Sequence, residues 1–464
     1  MLRNNLKLLV SYVSATMIVM YTWPSFTLKL FASANTTLDR PMTETELSLL
    51  GSISSISAIM ITPFSGLLLD TLGRKWCCIV FYMAQLIGWV IIVTWNKVEA
   101  VLFSMFLSGL STCMMLVIPI YVSEYCQESI RGSMTSASMI FGTGMLLSYL
   151  LGGLLEYKVM NYVSLTLTAL GIVMFSFMKE SPLFLMQKGR EREAARSIAF
   201  YRGMKTSSKE VIQEIENIRR TLNPNIEGDI TPQEEKELNP EAPKKKLPQW
   251  KYLLKSRSSR RALLVSIMLY SLSIFQGMVV VQVYAEPLFE KAVPSMSAMV
   301  SSILFAIVSV VAGFFGAYLI DAIGRRPLMI YGSLATGVCC IILGSQIHLD
   351  WGPSWLTAVI MHVYCVAYIV GPGTVPYVIV AEIYLPEIKS LASMLSVEWA
   401  FTCNFVILFI FNPLLDAVGL GPVFYFFALF CFLTIAFCYY YLPETKGLPV
   451  DAIQLLFLKR ADLK

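Results

Sequence analysis

Apolar residues along this chain come in runs of about 20, the length an α-helix needs to cross a bilayer's hydrocarbon core, and short polar turns separate the runs. The pattern predicts spans over 8–29, 47–69, 76–95, 100–122, 133–154 and 159–178, and then over 261–285, 296–320, 327–347, 354–381, 390–411 and 420–441. Between the two sets lies a polar stretch, 179–260. It carries helical periodicity near 190–202 and 207–222, followed by a Pro- and acid-rich segment, 223–248, that predicts little fixed structure. The expected fold class is an all-α membrane protein: twelve transmembrane helices in two pseudo-repeated six-helix bundles (1–178 and 261–441), a cytosolic helical linker (179–260) and a cytosolic tail (442–464).

Composition agrees. Of 464 residues, 56% are hydrophobic and 14% charged, against about 25% charged in soluble domains. The net charge of +5 comes without a basic patch interleaved with aromatics, so no nucleic-acid partner is expected. The cysteines are scattered through apolar runs (Cys113, Cys365, Cys431) and read as packing residues. With two histidines, His348 and His362, and no ligand spacing, no metal or cofactor is expected. No nucleophile–base pair or phosphate loop supports an enzyme.

Lys and Arg in the turns set the orientation. With the N-terminus in the cytosol, the short inside segments hold twelve of them, Arg74, Lys75, Arg131, Arg325, Arg326 and Lys389 included, and the outside segments hold five. Both termini are then cytosolic. Asn35-Thr36-Thr37, a glycosylation acceptor, falls in the first outside loop. Arg3, Lys7 and Ala32-Ser33-Ala34 would also suit a cleaved leader, but the apolar stretch is too long and contains Trp23-Pro24.

The two sets of spans repeat one another. Asp70-Thr71-Leu72-Gly73-Arg74-Lys75 after span 2 matches Asp321-Ala322-Ile323-Gly324-Arg325-Arg326 after span 8. Glu124 with Arg131 after span 4 matches Glu382 with Lys389 after span 10, and Glu180-Ser181-Pro182 matches Pro443-Glu444-Thr445-Lys446. The acidic members lie 251, 258 and 264 residues apart. Three elements in order at near-constant offset mean duplication, and such repeats place a solute site between the halves near the bilayer midplane.

These turns, together with Tyr121-Val122-Ser123-Glu124, Gly371-Pro372-Gly373 and Pro376 in span 10, and Pro443-Glu444-Thr445-Lys446-Gly447, resemble the sugar porters of the major facilitator superfamily. The resemblance covers nearly the whole chain and is nearest the glucose-facilitator and insect-type facilitated trehalose transporter branch. It implies a facilitative carrier of a sugar, a hexose or trehalose, working by alternating access in the plasma membrane. The alternatives are a carrier of another small organic solute and a non-transporting sensor-like relative.

The charged residues at the cytosolic span ends are the expected gate: Asp70, Arg74, Glu124, Arg131 and Glu180 in the first half, and Asp321, Arg325, Glu382, Lys389 and Glu444 in the second. Their ion pairs would bias a two-state equilibrium. The Gly371–Pro376 bend is expected beside the solute path, since non-helical backbone at that depth needs protein or a water-filled cavity beside it.

The family's sugar-contacting pattern is incomplete. Its span 7 Gln pair and Asn correspond here to Ser273, Ile274 and Val279, its span 5 Gln to Met139, its span 4 Arg to Ser104, its span 10 Trp to Tyr377 and one span 11 Asn to Ala400, while Asn404 remains. Leu183 stands where the family has Arg. Helix phase and the resemblance together give Gln276, Gln282, Tyr284, Tyr377 and Asn404 as the expected solute contacts, in a cavity formed by spans 1, 4, 5, 7, 8, 10 and 11. Proton-driven members carry an acid in span 1, and residues 8–29 contain none, so uniport is expected. Glu398, an acid within span 11, is expected to pair with another helix, and His362 to be structural.

Overall fold

The computed structural model describes residues 12, 15–114, 117–118, 121, 124, 137–222, 249–294, 296–385, 388–448 and 450–459. Arg131, the start of span 1, the segment 223–248 and the last residues of the tail lie outside them.

Among the described residues, eight helices are long and apolar enough to cross a bilayer. They are Glu44–Leu72, Arg74–Thr94, Tyr157–Ser176, Ala298–Ile323, Arg325–Leu349, Ser354–Ile383, Lys389–Val418 and Leu420–Tyr441, which are spans 2, 3, 6, 8, 9, 10, 11 and 12. Spans 4 and 5 contain the shorter helices Val98–Thr112 and Ala137–Leu154. Span 1 is helical over 15–22 and, past a turn at Trp23, over Pro24–Ala32. Span 7 is Arg257–Ile274 and Met278–Val283, continued by the short helix Ala285–Ala292.

Span 2 begins three residues earlier than the apolar run because of its cap. Thr43 Oγ1 accepts from the Glu46 N–H at 3.4 Å, and the Glu46 carboxylate accepts from the Thr43 N–H at 2.8 Å, satisfying two donors that a helix start leaves open. The turns after spans 2 and 8 depend on Gly73 (φ 88°) and Gly324 (φ 106°). A Cβ on Gly73 would sit 2.5 Å from a Glu180 carboxylate oxygen.

The outer faces of the spans carry exposed apolar side chains such as Leu67, Val80, Phe314, Phe315 and Leu429. Trp95, Trp351 and Trp355 sit exposed at one level and Trp76, Tyr439 and Tyr440 at the other, the two aromatic girdles of a membrane protein. The linker's periodic stretches are the helices Glu191–Arg202 and Lys209–Leu222, which share a small core of Ile198, Ala199, Val211 and Ile215. Ser197 and Tyr201 fasten them to the Glu180 and Lys179 carbonyls at 2.7 and 2.9 Å.

Candidate transport pathway

Two charge clusters mark one end of the molecule, here called the cluster end. In the first, the Arg74 guanidinium lies 3.0 Å from the Glu124 carboxylate, and both side chains are under a tenth exposed. Glu180 accepts from the backbone N–H groups of Arg74 and Lys75 at 2.9 and 3.0 Å, and the Ser181 hydroxyl donates to Glu124. The second cluster repeats these contacts. Arg325 pairs with Glu382 at 2.7 Å, Glu444 accepts from the N–H groups of Arg325 and Arg326 at 3.0 and 2.9 Å, and Thr445 donates to Glu382 at 2.7 Å. In both, a carboxylate sits on the N-terminus of the following span, where the unpaired N–H groups favour negative charge. Each cluster ties three spans of its own half.

Asp321 adds an ion pair to the second cluster that the first does not repeat among the described residues. Asp321 reaches Arg325 at 3.1 Å from an exposed position, but its counterpart Asp70 is exposed and makes no ion pair among the described residues. Lys389 donates to the Ala381 carbonyl at 2.7 Å.

The bridges between the halves gather at the opposite, far end. Lys29 meets Glu290 at 2.6 Å, Ser25 Oγ accepts from the Glu286 N–H at 3.1 Å, the Tyr149 hydroxyl donates to the Gln282 carbonyl at 2.6 Å, and Asn412 donates to Ser48 at 3.3 Å. Spans 2 and 11 and spans 5 and 8 pack directly. Asn35 is exposed in a turn at this end.

Deep in the second half two helix breaks face each other. Span 7 stops at Ile274 and restarts after Gly277 (φ 91°), where a Cβ would fall 2.3 Å from the Phe427 ring. Span 10 stops at Val370 and restarts at Val375. Hydroxyls satisfy the freed carbonyls: Ser273 donates to Pro372 at 2.5 Å, Tyr368 to Ser273 at 3.2 Å and Tyr364 to Gln276 at 2.8 Å. Span 7 carries no Pro and a single Gly in this stretch, so its break had no strong signal in the sequence, and Tyr364 and Tyr368 were not anticipated.

Two of the expected solute contacts also make hydrogen bonds inside the protein. Continuous helix phase turned Gln276 towards the cavity. With the helix interrupted, its amide donates to Ser333 and Thr434 at 3.2 and 2.9 Å, between spans 9 and 12. Tyr284 is also committed: its hydroxyl donates to the Leu408 carbonyl at 3.2 Å, and its ring stacks on Phe411 at 5.1 Å, against Gly51 of span 2. It is part of the far-end seal.

Gln276 Oε1 is nevertheless buried with no hydrogen-bond partner among the described residues, and the remaining three also keep open polar groups. Asn404 Oδ1 is buried with no hydrogen-bond partner among the described residues. The Gln282 side-chain amide makes no hydrogen bond there either. Tyr377 is 56% exposed, packs edge-on against Tyr270 at 5.5 Å, and lies within electrostatic reach of Tyr21 in the other half.

The expected partner of Glu398 is missing: among the described residues its half-buried carboxylate forms no ion pair or hydrogen bond. His362 packs between the rings of Phe289 and Phe305, with Nδ1 2.6 Å from the Ala358 carbonyl oxygen.

At the far end, burial pushes the Glu286 carboxyl up to about 7, against the pull of Lys29 and with a further push from Glu290. Opening that end would hydrate the group and return it to the ordinary carboxylate range, so the closed form binds more protons. Falling pH therefore favours closure below about 7, and rising pH releases it. Uptake measured against the pH at this face should climb through about 7, and Glu286→Gln should flatten the profile. An unchanged profile in the variant would dissociate Glu286 from closure.

Comparison with known proteins places these features. The profile of the sugar (and other) transporter family matches residues 5–457. The facilitated trehalose transporter of Bombyx mori is 24% identical over 91% of this chain and 80% of its own length. That of Polypedilum vanderplanki is 24% identical over 95% and 84%. Among solved structures, the inward-open xylose transporter XylE of E. coli superposes with a TM-score of 0.78 at 17% identity, covering 98% of this chain and 99% of that one. Its partially occluded form gives 0.75 at 18% identity, covering 95% and 98%. The fold is thus the twelve-helix, two-bundle architecture of the major facilitator superfamily, and the chain belongs to the sugar (and other) transporter family.

Proposed function

We propose that this protein is a facilitative carrier, not an enzyme, that moves a sugar such as a hexose or trehalose across the plasma membrane by alternating access. Residues 1–178 and 261–441 are the rocking bundles, joined by 179–260 and followed by the tail 442–464. The cluster end faces the cytosol with both termini, and the far end, with Asn35 as glycan acceptor, faces outside. The carrying observation is Asn404, whose buried amide oxygen lacks a partner among the described residues although a buried unpaired polar group costs about 1–3 kcal/mol. A solute hydroxyl would satisfy it. Gln282 and Tyr377 supply further contacts, and the names of the trehalose-transporting relatives support the substrate class.

Radiolabelled hexoses, trehalose, polyols and organic anions, offered to a transport-null host expressing the chain, test the reading. Saturable uptake of a sugar supports it. Uptake confined to a non-sugar would establish the second reading, a carrier of another organic solute, which the small number of open polar groups favours.

Transport is expected to equilibrate the solute rather than concentrate it, and to persist when the proton gradient is collapsed. Uphill accumulation abolished by a protonophore would contradict uniport and make Glu398, the unpaired acid of span 11, the coupling group.

A further inference from the structure

We propose that the cations leading into span 7 form a binding site for anionic phospholipid headgroups of the cytosolic leaflet. The proposal rests on the orientation given above. Residues 249–261 hold Lys251, Lys255, Arg257, Arg260 and Arg261 and no Asp or Glu. Arg261 is engaged, donating to the Phe457 carbonyl at 2.8 Å and so fastening the tail helix Val450–Lys459. The other four are exposed, and none has an acidic partner among the described residues.

Their setting is apolar. The helix Gln249–Lys255 buries Tyr252 and Leu253 and leaves Trp250 and Leu254 56% and 61% exposed. The Lys251 ammonium lies 5.3 Å from the centre of the Trp250 ring. Past Ser256, whose hydroxyl caps span 7 by accepting from the Ser259 N–H, one exposed edge runs through Arg257, Arg260, Leu264 and Met268. This i, i+3, i+7, i+11 spacing is a single helix face. Its Leu264–Met268 part is at bilayer depth, where hydrocarbon covers it. Its Arg257–Arg260 part emerges at headgroup depth, beside Trp250 and Leu254.

Apolar edge, tryptophan and then cations with no acidic partner among the described residues is the order in which a bilayer changes from acyl chain to phosphate. A soluble anion would engage the cations and leave Trp250 and Leu254 in water, whereas a lipid covers both. Each cation near an anionic surface is worth about a fivefold preference, so the site should enrich anionic lipid around span 7 and hold the start of the second bundle at a fixed depth.

The test uses the full chain in symmetric nanodiscs containing either brominated phosphatidylserine or brominated phosphatidylcholine at the same mole fraction. The Trp250 component of the fluorescence is isolated by difference with Trp250→Phe. Brominated phosphatidylserine should quench that component several-fold more than brominated phosphatidylcholine. High salt should erase the difference in the wild-type chain, and so should the combined change Lys251→Gln, Lys255→Gln, Arg257→Gln and Arg260→Gln. Equal quenching by the two lipids, no quenching by either, or a preference that survives the combined change would overturn the proposal. Both leaflets of the nanodisc have one composition, so the result does not depend on which end is cytosolic, and failure here is distinct from failure of the orientation.

Discussion

Arg74→Ala is expected to have the largest effect of any single substitution in the first bundle. It leaves the Glu124 carboxylate buried, with the Ser181 hydroxyl as its remaining partner among the described residues, and removing one member of a buried pair costs about 3–5 kcal/mol. Burial already holds the Glu124 carboxyl above its ordinary range, against the pull of Arg74 and Ser181, so without Arg74 the group should take up a proton. The purified variant should melt well below wild type, and transport should fall by more than tenfold. Arg74→Ala combined with Glu124→Ala should recover part of the stability, because the uncompensated charge is gone. The double variant also separates two roles for the cluster. If the cluster only holds spans 3, 4 and 6 together, recovered stability should bring back recovered transport. If it biases the conformational equilibrium as well, the double variant should be stable and still shifted, as read from reagent accessibility of cysteines placed at the two ends. Wild-type stability and kinetics in Arg74→Ala would count against both. Arg325→Ala offers the same comparison in the second bundle, where the pair is more exposed and a smaller effect is expected.

Asn404→Ala should separate transport from stability in the opposite way. No hydrogen bond inside the protein is lost, because the amide oxygen has none among the described residues, and stability should stay the same or rise slightly. A solute hydroxyl that loses this partner forfeits about 1–3 kcal/mol, roughly 5-fold to 150-fold in kcat/KM. Gln276→Leu breaks two internal hydrogen bonds and should lower the melting temperature; its amide oxygen is buried without a partner among the described residues, so KM in this variant reads whether that oxygen meets the solute as well. A raised KM in Gln276→Leu together with unchanged transport in Asn404→Ala would show that the solute binds on the other side of span 7.

The membrane spans, the repeat and the end clusters were legible in the sequence because each rests on local chemistry. A run of apolar residues commits a segment to the bilayer wherever it packs. An Asp-x-x-Gly-Arg turn needs its glycine for backbone geometry alone, and the recurrence of Glu180 as Glu444 could be read from spacing before the matching N–H contacts were visible. Asn404 was expected as a contact through the resemblance to the sugar porters in span 11.

Inference by helix phase across residues 273–282 missed the break in span 7. Counting about 100° per residue assumes an unbroken hydrogen-bond ladder, and span 7 gives its ladder up at Phe275–Gly277. That break is stable because Ser273 and the hydroxyls of Tyr364 and Tyr368 exchange hydrogen bonds with backbone freed in spans 7 and 10. These partners are 88 to 99 residues apart in sequence, and no local pattern announces them. Likewise the sequence could place Gln276, Tyr284 and Glu398 inside spans, but only packing decided their partners: Gln276 between spans 9 and 12, Tyr284 in the far-end seal, and Glu398 with no ion pair among the described residues. The sequence by itself determined which segments enter the membrane and where their charged ends lie, since transfer from water acts on each segment separately. The tertiary structure alone decided which polar groups inside the membrane are already satisfied and which remain open to a solute, since that depends on neighbours brought together from distant parts of the chain.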